Sequence, residues 1–403
     1  MLVLALAAFA LAIAYGVYLA PDWDPSRNDQ TQYQALARGL VERGEYTRAR
    51  PDEPFIPEPL RFPGYPLFLA PLCLAGCSPW LITVAQGLLL GVLVVLVARF
   101  TEPLIGQRGA RIAAALVALH PAFAFFAAHA LSDLLASVLG MATVVAAVPL
   151  ATRRRSGVAA GAFAVATVLT RPFLVFTLPV VAAALAWRRG MRVLVPGLVI
   201  AVIVFAVAVS PYVMYVERSF GRAVTGSTGT QLWLAYFQGH DAGALDAFER
   251  EQADAGRASL ERFDAITDRV AQAYAFVALD DELRARALAL ITHDPIGFAV
   301  RGLGRSVQLW TGDVPVRAEH AGAALTALWI VANLVLLALG LAGAVRLSRR
   351  GDGVSAIPLL IIVTTWVLSY PLWAEGRFAL PSRPFLAIGV AALFEDLRQR
   401  RRV

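Results

Sequence analysis

Apolar residues run along this chain in long blocks, not in the short alternating patches of a water-soluble protein. Ten stretches approach the roughly 20 mostly apolar residues that a helix needs to cross a bilayer. They lie at about 2–20, 80–98, 112–128, 131–150, 156–171, 172–187, 193–215, 322–345, 354–372 and 378–395. The pattern predicts an all-α polytopic membrane protein with about ten transmembrane helices, juxtamembrane helices in a first outer loop and a helical second outer loop. Spans 156–171 and 172–187 are divided only by Arg171-Pro172. Proline cannot continue a helix and arginine is costly at mid-bilayer, so this break belongs near an interface. The segment 64–76 carries Pro66 and Pro71 and suits a re-entrant or surface piece better than a span. Residues 1–215 then form an N-terminal transmembrane module with a first outer loop at 21–79, residues 216–321 a helical outer loop, and residues 322–403 the C-terminal transmembrane helices. The first span lacks a basic leader and ends in YLAPDWD, a poor cleavage site, so it reads as a retained anchor.

Composition agrees: 58% of the 403 residues are hydrophobic and 16% charged, so the bilayer is the solvent. The net charge of +7 comes entirely from arginine, as the sequence has no lysine. Such a balance would suit nucleic acid, but the arginines form no basic domain. They recur as short clusters between apolar runs, at Arg99, Arg108 and Arg111, at Arg153–Arg155, at Arg188, Arg189 and Arg192, at Arg346, Arg349 and Arg350, and at Arg398 and Arg400–Arg402. Ten spans with the N-terminus inside put all of these on the cytoplasmic side, as the positive-inside rule requires, with both termini cytoplasmic and no nucleic-acid partner. Cys73 and Cys77 lack a companion His or Cys, so neither a zinc site nor a disulfide framework is indicated. His120, His129, His240, His293 and His320 have no metal-ligand spacing either.

The polar chemistry lies in the two outer loops. In the first, Tyr33, Leu36, Ala37 and Leu40 form an apolar stripe at helical period, and Asp29 shares a face with Tyr33. Asp29 fits two roles at this point: a catalytic carboxylate at the outer membrane surface, or helix-start chemistry in company with Ser26 or Gln32. In the second loop Leu283, Ala287, Leu290 and Ile291 mark an amphipathic helix expected to lie on the membrane or on the bundle.

The D-x-x-x-Y-x-x-x-A run at Asp29, Tyr33 and Ala37, followed by Glu58-Pro-Leu-Arg61-Phe-Pro-Gly-Tyr65-Pro66, resembles the lipid-dependent glycosyltransferases of the GT-C type. More narrowly it is similar to the bacterial branch related to protein O-mannosyltransferases and aminoarabinose transferases. Four further places agree: His120-Pro121 ahead of Leu131-Ser132-Asp133, Thr170-Arg171-Pro172, the stretch Ala287–Pro295 up to Trp310, and Glu375-Gly376-Arg377-Phe378 with Pro381 and Pro384. The resemblance implies transfer of a sugar from a polyprenyl-phosphate donor to a glycan, lipid or protein acceptor on the periplasmic face of a bacterial inner (plasma) membrane, with inversion. It implies Asp29 as the general base, and Tyr33, Glu58, Arg61, Tyr65, Asp133, Arg171, Glu375 and Arg377 as substrate-binding residues. Guanidinium groups suit the departing phosphate because their planar fork matches its oxygens and stays charged. Each arginine also has a plainer role: Arg61 snorkelling to the interface, Arg171 binding the carbonyls freed at Pro172, Arg377 pairing with Glu375 or Asp133. No cofactor is expected; relatives differ in using a divalent metal, so one is possible, but no metal ligands are assigned. The alternative to an enzyme is a transporter or flippase of a lipid-linked sugar.

Overall fold

The computed structural model describes residues 1–20 and 29–400; Ser26, Arg401 and Arg402 lie outside the described residues. Sixteen α-helices follow one another with no strand among those residues. They are α1 (Leu2–Leu19), α2 (Asp29–Glu42), α3 (Gly64–Leu74), α4 (Pro79–Ala118), α5 (Pro121–Ala127), α6 (Asp133–Ala147), α7 (Ser156–Thr170), α8 (Thr177–Arg189), α9 (Met191–Phe220), α10 (Thr228–Phe237), α11 (Ala247–Asp264), α12 (Arg269–His293), α13 (Pro295–Thr311), α14 (Ala323–Ser348), α15 (Ile357–Ser369) and α16 (Arg383–Arg400).

The chain is an all-α polytopic membrane protein, but the count differs from the ten predicted spans. Seven helical stretches of the described residues are long and apolar enough to cross a membrane: Leu2–Leu19, Pro79–Ala118, Asp133–Ala151, Pro172–Arg189, Met191–Phe220, Ala323–Ser348 and Gly376–Arg400. Gly64–Leu74, Ser156–Thr170 and Val354–Ser369 are apolar but shorter. Part of the difference lies in α4, which joins predicted span 80–98 to the start of predicted span 112–128 in 40 residues, the rest of the latter forming α5. It is interrupted where Gly106 takes φ 78°, a left-handed conformation that glycine adopts without a side-chain clash. Ser78 caps the start of α4 by accepting the Leu81 N–H at 3.2 Å, with Pro79 preset for the first turn.

The second outer loop folds as α10–α13. Trp233 and Tyr236 of α10 bury against Leu279, Leu283, Ala287 and Leu290 of α12. The predicted amphipathic face therefore covers a neighbouring helix of this outer domain, not lipid. Asp246, Asp268 and Asp294 cap α11, α12 and α13 through their carboxylates. The helix that does carry an uncovered apolar stripe is α13, with Ile296, Val300, Leu303 and Val307 exposed at the spacing of one helix face. Cys73 and Cys77, for which no disulfide framework was indicated, are joined by a disulfide across the turn through Gly76 at φ 95°.

The pair α14 and α16 sets the depth of the site. At their crossing a Cβ on Gly343 would lie 1.7 Å from Gly389 O, and one on Gly389 2.0 Å from Gly340 O. Glycine is what lets the backbones touch. The far ends of both helices hold arginine-rich ion pairs, Arg346 with Asp396 at 3.2 Å and Arg108 with Glu395 at 3.4 Å, while their beginnings lie beside the strap 312–322. Gly343→Ala should cost about 1–3 kcal/mol through overpacking, read as a lower Tm in detergent. Gly304→Ala on α13, where nothing lies within 4 Å of the new Cβ, should leave Tm unchanged or raise it.

Candidate active site

Asp29 opens α2, and its carboxylate is held from two directions. Arg61 Nη2 donates to Oδ1 at 2.5 Å and Arg377 Nη1 to Oδ2 at 3.2 Å. These partners come from 32 and 348 residues away in sequence. Arg61 Nε also donates to Gln32 Oε1 at 2.8 Å, one turn along α2. Arg377 Nε bonds Glu375, and the Arg377 N–H donates to Asp313 Oδ2 at 2.6 Å. Beside this cluster Arg171 Nη2 lies 2.6 Å from Asp133 Oδ1. Arg171 and Arg377 both stand over the Phe378 ring, at 5.1 and 5.6 Å from its centroid.

The sequence explains the convergence locally. The backbone carrying Arg61 is shaped by Glu58, whose fully buried carboxylate accepts the Leu60 and Arg61 N–H groups at 2.8 and 2.9 Å and pairs with Arg48 at 2.6 Å. Tyr46 donates to Arg61 O at 2.8 Å. Gly64 then lets the start of α3 press on the end of α7, since a Cβ there would sit 2.4 Å from Thr170 Oγ1; this sets Arg61 near Arg171. Tyr33 packs edge-on against Tyr65 at 5.0 Å, lies under Arg61 at 5.3 Å, and places its hydroxyl 3.3 Å from Ser132 Oγ. On the far side Gly312 and Gly376 touch backbone to backbone, bringing Asp313 under Arg377.

Of the predicted residues, the structure therefore brings together Asp29, Tyr33, Arg61, Asp133, Arg171, Glu375 and Arg377. Glu58 and Tyr65 it sets behind the cluster: the first faces Arg48 and its own loop, and the second is fully buried with its hydroxyl donating to Gln86 at 3.3 Å. These two support Arg61 and Tyr33 and do not face the ion cluster. Gln32, expected only as a helix-start companion of Asp29, and Asp313, not anticipated at all, join the cluster. Gln32 was legible, since it follows Asp29 by three on the same helix; Asp313 was not, because only the fold puts its loop beside Arg377. Both Asp29 oxygens accept from guanidinium groups, while the Ser26 side of the helix-start alternative lies outside the described residues.

Electrostatics separates these acids. Burial alone would push the Asp29 carboxyl up, but Arg61 and Arg377 together hold it below its ordinary 3.8. Asp313 and Glu375 go the other way, pushed up by burial that Arg377 only partly offsets. Next to the cluster, an apolar groove of about 670 Å³ opens between α4–α5 and α14–α16, lined by Leu116, Phe123, Leu325, Leu328 and Trp329 and bounded by Val314–Val316. At its inner wall Arg383, 3% exposed, donates to Trp310 O at 3.1 Å and meets His120 Nε2 at 3.2 Å and Asn333.

A stability test follows from the signs. Asp29, with a depressed folded value, stabilises the fold above the unfolded 3.8 and loses that contribution as pH falls through the folded value. Asp29→Asn should thus lower Tm at neutral pH, the gap closing in acid. Asp313, with a raised folded value, costs stability once pH exceeds it. Asp313→Asn, which can still accept from Arg377, should raise Tm at neutral pH and converge with wild type as pH falls; paired thermal melts across pH check both signs.

No protein-family model and no curated protein sequence matches the chain. Among solved structures it is similar to the archaeal oligosaccharyltransferase AglB from Archaeoglobus fulgidus. In its complex with an inhibitory peptide and a dolichol-phosphate, the TM-score is 0.56 at 14% identity, over 99% of this chain and 51% of AglB. In the complex with Zn and sulfate the TM-score is 0.57 at 12% identity, over 99% and 49%. ArnT from Cupriavidus metallidurans bound to undecaprenyl phosphate aligns more loosely, with a TM-score of 0.37 at 16% identity over 90% and 73%. The chain spans about half the length of the AglB structures it matches. The likeness is one of fold: the membrane helices of this chain follow those of the AglB structures.

Proposed function

We propose that this protein is a membrane glycosyltransferase that moves a sugar from a polyprenyl-phosphate donor to an acceptor hydroxyl, with Asp29 as general base and inversion at the anomeric carbon. The observation that carries this is the Asp29 carboxylate held between Arg61 and Arg377, with Arg171 close by, beside an apolar groove. AglB has been crystallised with a dolichol-phosphate, which supports a lipid-phosphate donor here. The acceptor is a glycan, a lipid or a protein, with the outer domain forming one wall of its approach.

In the resting arrangement the arginines spend their charge on carboxylates. An arriving donor phosphate competes for the same guanidinium forks, and each fork that turns to phosphate frees Asp29. Burial then acts on Asp29 with less opposition, so its basicity rises when the donor is in place. Asp29 takes the acceptor proton, the acceptor oxygen attacks the anomeric carbon, and the bond from that carbon to the phosphate oxygen breaks. Polyprenyl phosphate leaves with the negative charge, which the arginines stabilise without reorganising. The lipid tail lies in the groove at α14 and α16.

A divalent metal is possible in this fold, since AglB has been crystallised with Zn. The donor set argues against one in this cluster: Asp29, Asp133 and Glu375 are each matched by a guanidinium group, so no step is routed through a metal. Charge at the span ends, not on broken helices at mid-membrane, supports an enzyme over a transporter. By the positive-inside rule the arginine-rich end faces the cytoplasm and the site the periplasm of a bacterial inner membrane, with both termini cytoplasmic.

Asp29→Asn, assayed with polyprenyl-phosphate sugars in membranes or nanodiscs, should lower transfer by about 100-fold or more, the size of a lost general base. Wild-type transfer by a correctly folded variant would overturn the assignment. Arg377→Lys keeps a positive charge but not the fork, and should raise the donor KM and lower kcat together.

A further inference from the structure

At the corner of the outer domain where α10 has ended and α11 and α13 begin, His240, Glu249 and Asp294 each offer one ligand atom, and these atoms all lie within 4.8 Å of one another. We propose that this corner is a divalent transition-metal site, suited to zinc, that locks the outer domain together. The proposal rests on no assumption about sugar transfer.

The first argument is the imidazole of His240. Its Nδ1 lies 3.2 Å from Asp241 O; a carbonyl can only accept, so this contact assigns the hydrogen to Nδ1 and leaves a lone pair on Nε2. That Nε2 faces Glu249 Oε1 at 3.3 Å, which is also an acceptor, from a side chain only 10% exposed. Two acceptors turned toward each other in a buried place need something positive between them. A second proton would serve, as would a metal ion, and the remaining contacts favour the metal.

Each of the three groups is fixed through another contact. Glu249 Oε2 accepts the Asp246 N–H at 2.9 Å, and Tyr236 donates its hydroxyl to Oε1. Asp294 Oδ1 accepts the Gly297 N–H at 2.8 Å. Metal ligands are held in this way, by outer hydrogen bonds that set tautomer and orientation. One imidazole nitrogen and two carboxylates make a three-ligand set that leaves a fourth position for water on zinc. Charge agrees, since Glu249, Asp294 and neighbouring Asp246 are three acids. Arg301, 3.0 Å from Asp294 Oδ2, matches one of them, and His293 faces Asp246 at 2.7 Å.

The site reaches the ion cluster through Gln238, two residues before His240. Its Nε2 donates to Ala374 O and its Oε1 accepts the Ala374 N–H, both at 2.9 Å. Ala374 immediately precedes Glu375. Fixing the end of α10 therefore fixes the loop that delivers Glu375 and Arg377.

The test uses the full chain in nanodiscs, stripped with a chelator and titrated with Zn²⁺ alone. The expected result is one zinc per chain by elemental analysis and a higher Tm. Asp294→Asn retains the Gly297 cap and should weaken zinc binding about 10-fold or more; His240→Ala should abolish it; His293→Ala should leave it intact. Failure to bind stoichiometric zinc, or equal binding by wild type and His240→Ala, would overturn the proposal and leave a doubly protonated His240 as the bridge.

Discussion

The site depends on one ion pair system, a carboxylate at the start of α2 shared by two guanidinium groups from opposite ends of the chain. A charge at a membrane interface is tolerable only where water or a partner satisfies it, and here each group satisfies another. Removing one partner leaves a partly buried charge with fewer opposite charges around it, at a cost that exceeds the net worth of the pair. The surrounding backbone is organised to prevent that. Glu58 pins the Arg61 loop, the contact of Gly312 with Gly376 pins the Arg377 turn, and Phe378 spaces Arg377 from Arg171.

Much of this was legible in the sequence because membrane solvation leaves a coarse signature. Apolar blocks marked the helices, and short motifs marked Asp29, Arg61, Arg171 and Arg377 as a set lying at one level. Span counting was less secure. Whether an apolar run crosses alone depends on breaks such as Gly106, and a glycine in a greasy stretch does not announce a left-handed turn. The roles of Glu58 and Tyr65 were hidden for another reason. A motif says which residues travel together but not which face the cleft, and burial behind Arg61 and Tyr33 is a tertiary fact.

The same limit explains the residues that went unseen. Asp313 sits at φ 55°, a conformation that aspartate tolerates better than most side chains, yet nothing near it in sequence points to Arg377. His240, Glu249 and Asp294 are spread over 55 positions and have none of the regular spacings by which metal sites are recognised. Helix caps obscured them further, because Glu249 belongs to a capping box and Asp294 to a cap. An acid at a helix start has an ordinary explanation that a sequence gives no reason to look past.

Charge balance bears directly on the proposed phosphate donor. Around the site stand the acids Asp29, Asp133, Asp313 and Glu375 and the cations Arg61, Arg171, Arg377 and the deeper Arg383. With every acid ionised the two sets cancel, and the singly charged phosphodiester of the proposed donor would enter against no net attraction. Burial, however, pushes Asp313 and Glu375 toward their neutral forms while Asp29 stays ionised between two arginines. Uptake of a proton by either raised acid leaves the arginines in excess. An incoming phosphate would itself favour that uptake, since a nearby negative charge raises a carboxyl further. The cluster can thus exchange carboxylate charge for phosphate charge at nearly constant total, which would limit the electrostatic cost of binding the proposed donor and of releasing its lipid phosphate.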